Sequence, residues 1–329
     1  MAGIARLRLM LLLPLLAGLC GCAQPVALRE PLTGAGQIKL PPDQGPPAID
    51  LLSLDPRSGR LYVPHASHES LDVIDVGRNR LEASIPGLPG IKGVAVTSDP
   101  NVVFTSDAGN GTVGVVDVPG RKVLATIAVA GTPDAIVYDA GRDQVIVSLG
   151  SARKLALIDR AGHDQTGSID LPGEAELMTV DETGGRLFVA IHDLDEVAVI
   201  NLSDNTISEF YRACDIKAPT GVAYDPQTQR LFVASTKLLN IIDVLLDKCL
   251  GAVDLGSGTD QVAINENRHH VYTANAGSSN LSVVDSKAMK PLGVVGTGPK
   301  AGTVAVDASR DRVYVAIAST GTIAVFHDP

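Results

Sequence analysis

Asp50, Lys92, Asp134, Glu176, Thr220, Asp260 and Gly302 occupy one position of a pattern that recurs along this 329-residue chain. Drawn into a ring by like elements, four carboxylates and one lysine form a site with hard oxygen donors. Such donors suit Ca2+, Mg2+ or Mn2+, and a metal held there could polarise a bound carbonyl. His65, Asp107, Ser235 and Asn275 close a second set of segments expected to end at the same place. The "HASH" stretch sets His65 and His68 three apart beside Asp50, so the candidate ligands are Asp50, His65, Asp134, Glu176 and Asp260. A plainer reading stands beside this one: the acids are solvated, bonded to loop amides, or paired with Lys92.

The elements that must position these residues are counted out by the chain itself. Tyr62, Phe104, Ile146, Phe188, Phe232, Tyr272 and Tyr314 mark the middle of one strand per copy, at spacings of 42, 42, 42, 44, 40 and 42. Self-similarity at this period is the signature of a repeat architecture. Each copy holds four short alternating or β-branched segments separated by turns such as "DPRSGR" and "DASRDR", which is the content of a propeller blade. The first strand of each copy has large third and fifth residues and a fourth that is small, from Ser53 to Ala305, with Val137 the exception. The expected fold is all-β: a seven-bladed β-propeller of four-stranded blades. The last copy lacks its outer strand, so "GQIKL", residues 36–40, is expected to complete it and close the ring. A second acid ring, Asp55, Asp139, Asp181, Asp225 and Asp307, starts tight turns at the opposite end and reads as structural.

"RLYVPHASHESLDVID", "HVYTANAGSSNLSVVD" and "RVYVAIASTGTIAVF" resemble the YVTN β-propeller repeat of bacterial YncE-like proteins. The likeness covers residues 36–329. It implies the propeller fold and says less about activity, because the scaffold is similar to that of streptogramin lyases, lactonases and surface-layer binding modules. There is no WD dipeptide of the WD40 kind.

The period breaks between blades four and five. Two extra residues fall in "EFYRACDIKAPT", and "STKLLNIID" lacks two. His192, Tyr211, Arg212, Cys214, Asp215 and Lys217 gather there, where the sevenfold likeness is given up, and form a second candidate binding patch. Cys214 is placed at the top of blade four and Cys249 at the bottom of blade five, about 20 Å apart for seven rows of strand, beyond the reach of a disulfide. The expectation is therefore two free thiols, with Cys214 and His192 the one conceivable nucleophile pair. Triad signatures and phosphate-binding Gly loops are absent from the sequence.

The N-terminus reads as an address. Arg6 and Arg8, an apolar run and small residues make residues 1–21 an export signal. "Leu19-Cys20-Gly21-Cys22" resembles a bacterial lipobox, which implies lipidation at Cys22, and Ala23 after it favours outer over inner membrane. Residues 22–35 form a Pro- and Gly-bearing tether and residues 36–329 the propeller. Aromatics are 3 % of the chain, Trp is absent and the net charge is −10, which argues against nucleic acid as a partner. The expected protein is a lipid-anchored binding module or scaffold of the periplasm or cell envelope, taking an envelope protein or small ligand on its top face. The alternative is a divalent-metal-dependent lyase or lactonase at the channel mouth.

Overall fold

The computed structural model describes residues 30–329; the expected signal at 1–21, the lipidation site Cys22 and most of the tether lie outside the described residues. Seven four-stranded antiparallel sheets form the blades. Among the described residues there is no α-helix, only four 3-10 turns, at Ala66–His68, Gly150–Ala152, His192–Leu194 and Ala318–Thr320, each between the second and third strands of a blade. Inner strands also bond across blades, as from Leu51 N to Lys92 O at 3.0 Å and from Leu177 N to Thr220 O at 3.1 Å.

The alternation of large and small residues has a direct cause. Ser53 lies across from Tyr62, Ala95 from Phe104, Thr179 from Phe188, Ala223 from Phe232, Ala263 from Tyr272 and Ala305 from Tyr314. Val137, the one larger residue, faces Ile146, the one marker that is not aromatic. Residues opposite each other on antiparallel strands share a face, so the volume given to one is taken from the other. All seven markers are fully buried, each contributing about 2–3 kcal/mol by area removed from water.

Ring closure occurs as expected, with a corrected boundary. Thr33–Lys39 pairs antiparallel with Thr322–His327, so the strand begins three residues before residue 36. In blades one to six a β-bulge recurs in one row between the third and fourth strands, from Val73/Ile74 in blade one to Val283/Val284 in blade six. The N-terminal strand carries the same bulge, between Gly34 and Gly36 opposite Phe326 and Val325. Bulges twist and bend a strand, and this one gives the borrowed strand the shape of the other six. Leu32, just ahead of it, is fully buried in the core shared by blades six and seven.

The second acid ring is structural. Asp55, Asp139, Asp181, Asp225 and Asp307 are at most 2 % exposed, and each accepts a turn amide, for example Asp225 Oδ1 from Gln227 N at 2.9 Å and Asp181 Oδ1 from Gly184 N at 2.9 Å.

Candidate functional site

The inner strands bring the acids of the first ring to one opening. Lys92 Nζ lies 2.8 Å from Asp50 Oδ2. Burial raises the carboxyl pKa of Asp134, and Asp50 adds to it while Lys92 opposes. Glu176 is raised by burial and then by Asp134. Asp260 is pushed up to about 7 by burial and by Asp50, Glu176 and Asp134. For Lys92 burial disfavours the charge, but Asp50, Asp134 and Asp260 outweigh it and raise its pKa. One cation thus faces four carboxyl groups that repel one another in a partly dehydrated space. Thr220, whose Oγ1 donates to Thr259 O at 2.9 Å, and Gly302 complete the ring without charge.

Beneath the ring the side chains that line the channel are mostly aliphatic. A cavity of about 160 Å3 is lined by Leu52, Val94, Ile136 and Met178, with Gln261 at its wall. Gln261 was not singled out in the sequence, although it is the one long polar side chain at the second position of an inner strand. Its Oε1 accepts from Leu52 N at 3.1 Å and Val304 N at 3.2 Å, and its Nε2 donates to Leu52 O at 2.8 Å. It ties blade six to blades seven and one, satisfying edge groups that face the channel.

The second-strand ends do not line the mouth as the sequence suggested. His65 is fully buried in blade one, with Nδ1 2.8 Å from Asp72 Oδ2 and Nε2 2.9 Å from Asp43 Oδ1. Burial disfavours its charge, yet Asp72 and Asp43 prevail and the pKa is raised. Both ring nitrogens are engaged, which removes the only imidazole from the candidate ligand set; His68 stacks on it at 5.4 Å and bonds Ser70 instead. Asp107 is 1 % exposed. Its Oδ2 accepts from Thr105 Oγ1 at 3.2 Å, its Oδ1 has no partner among the described residues, and burial pushes its carboxyl up to about 7. Asn275 and Ser235 are likewise turned into their blades, Asn275 onto Ser282 and Asn280, Ser235 onto Asn240. Among the described residues no group of three or more His, Cys, Asp or Glu side chains is arranged to hold a metal ion.

The insertion between blades four and five overturns the expectation of free thiols. Cys214 and Cys249 form a disulfide with their Cα atoms 5.3 Å apart, so Cys214 has no thiol to pair with His192. The loop does not stay on top. Cys214, Asp215 and Ala218 adopt left-handed backbone and curl it into the gap between blades. There Asn240 Nδ2 donates to Cys214 O at 2.5 Å, and the sulfur reaches the middle rows of blade five, 3.5 Å from Ile241 O. The two additional residues supply that descent. Tyr211 is buried rather than displayed, its ring 6.2 Å from that of Phe188 and its hydroxyl donating to Val244 O at 3.4 Å. Arg212 remains exposed, paired with Glu196 at 2.6 Å and lying over Phe210 at 4.7 Å. Lys217 pairs with Asp195 at 2.7 Å, and the buried Nδ1 of His192 has no partner among the described residues.

This architecture defines a seven-bladed β-propeller. Its backbone is similar to that of hydrazine synthase from Kuenenia stuttgartiensis, with a TM-score of 0.78 over 87 % of this chain and 97 % of that one, at 14 % sequence identity. The likeness is one of fold. No protein-family model matches the chain, and no curated protein matches it in sequence.

Proposed function

We propose that this protein is an envelope-anchored propeller that binds, without turning it over, a partner or small ligand presenting a cationic group to the channel mouth. Cys22 carries the lipid, and the resemblance to YncE-like repeats is consistent with an envelope setting. The carrying observation is Asp260, held near neutrality by burial and by Asp50, Glu176 and Asp134 around a single lysine. A cation entering the mouth lowers these pKa values, so its binding releases protons and tightens as pH rises through about 7. Arg212 and Lys217, exposed on the neighbouring top loops, extend the surface toward a protein partner. The lyase or lactonase reading loses its imidazole, since His65 is held by Asp43 and Asp72.

The test is calorimetric titration with Ca2+, Mg2+, Mn2+ and a linear alkyl diamine, in two buffers of different ionisation enthalpy at pH 6 and pH 8. Saturable binding with proton release, lost in Asp134→Ala with Glu176→Ala, supports the reading. Heat independent of buffer, or binding that survives those substitutions, overturns it.

A further inference from the structure

The chain enters the propeller from the end opposite the mouth. Thr33 pairs with His327, the last residue of a third strand, in the row held by Asp243 and Lys248 in blade five. The first described residues, Glu30 and Pro31, lie beside His270, Leu292 and Asp328 on the lower side of blades six and seven. Eight Cα–Cα steps separate Cys22 from Glu30, a reach of about 27 Å when fully extended, against about 20 Å for the height of a six-residue strand. Setting the mouth on a bilayer would require nearly all of that reach to pass one blade, whereas setting the bottom there requires little of it.

The bottom also carries the two most exposed large apolar residues among the described residues, Leu245 and Leu246, each 69 % exposed at the turn between Asp243 and Lys248. The turn does not require them. Asp243 Oδ1 accepts from both of their amides at 3.0 Å, and the same cap in blade six, on Asp285, serves Lys287 and Ala288. The corresponding positions in blade one are Gly77 and Arg78. In the same turn Asp247 and Lys248, both exposed, follow Leu246. Isolated surface leucines are ordinary; two adjacent ones at a turn tip, on the face from which the membrane tether leaves, are not.

We propose that the bottom rim around blade five rests on the lipid bilayer, with Leu245 and Leu246 in the membrane interface and the channel mouth facing away. This rests on the anchor at Cys22 in the reading above, and it is independent of what the mouth binds. The chain has no Trp, so Leu246→Trp gives a single reporter, and Leu194→Trp, 43 % exposed on a top turn, gives its control. Each acylated full-length variant is reconstituted on phosphatidylethanolamine–phosphatidylglycerol vesicles, with and without brominated acyl chains. The expected result is a blue shift and bromine quenching at position 246, with neither at 194. A vesicle-bound chain unquenched at 246, quenching at 194, or a chain that stays off the vesicles overturns the proposal. Titration of the mouth on the same vesicles tests the ligand reading separately.

Discussion

Replacing Asp107 by Asn should make the protein's stability less dependent on pH, and the size of the change follows from its surroundings. The carboxyl is buried with no cation beside it among the described residues, and its pKa stands at about 7 against 3.8 for a free aspartate side chain. Between those values the folded chain keeps a proton that the unfolded chain has released. The contribution to stability is therefore present in full below about 3.8 and is lost as pH rises to about 7. A shift of about three units corresponds to about 4 kcal/mol. Asn is accommodated in this row: Asn275 occupies it in blade six, accepting from Thr273 Oγ1 at 3.2 Å as Asp107 accepts from Thr105. Urea unfolding of both proteins at pH 4, 6 and 8 should show the variant gaining on the wild type by up to about 4 kcal/mol across the series. A difference constant with pH would refute the reasoning, because it would mean that Asp107 titrates alike in the folded and unfolded chains.

Cys214→Ser with Cys249→Ser opens a loop of 35 residues' separation and should cost about 3–4 kcal/mol by the chain-entropy relation, read as a lower urea midpoint that reductant no longer changes. His65→Gln should flatten the pH dependence above 6.5: the raised pKa of His65 gives stability that is complete below 6.5 and lost as pH rises through the folded value, which thermal unfolding between pH 6 and 9 will show. Leu32→Ala, in the fully buried site beside the closing strand, should cost about 2–5 kcal/mol and speed proteolysis at the N-terminal strand; unchanged protection would mean that this residue does not help hold the ring shut.

The blade count was legible because each blade repeats the same volume exchange, as Ala95 with Phe104 or Val137 with Ile146 does. A local pairing repeated seven times leaves a trace at fixed spacing. Closure was legible for a related reason: the last copy lacked a strand, and an isolated segment near residue 36 had the right alternation. The acids of the mouth were found because position along an inner strand maps directly onto height in the channel. The disulfide was hidden, since the blade register says nothing about a loop that leaves it, and the path of residues 212–218 depends on left-handed turns and on Asn240. Gln261 went unnoticed because its partners, Leu52 and Val304, are distant in the chain and contribute only backbone groups.

By itself the sequence determined what periodicity can encode: seven blades, their strand order, which residues turn inward, and the ring of acids at one height. Only the tertiary structure decided which polar groups meet. His65 was free to face the channel or the blade, and its direction was settled by Asp43, 22 residues away, arriving on the connection from the closing strand. Local alternation fixes the face a side chain points to, but its partner on that face comes from another part of the chain, and that choice depends on how the ring closes.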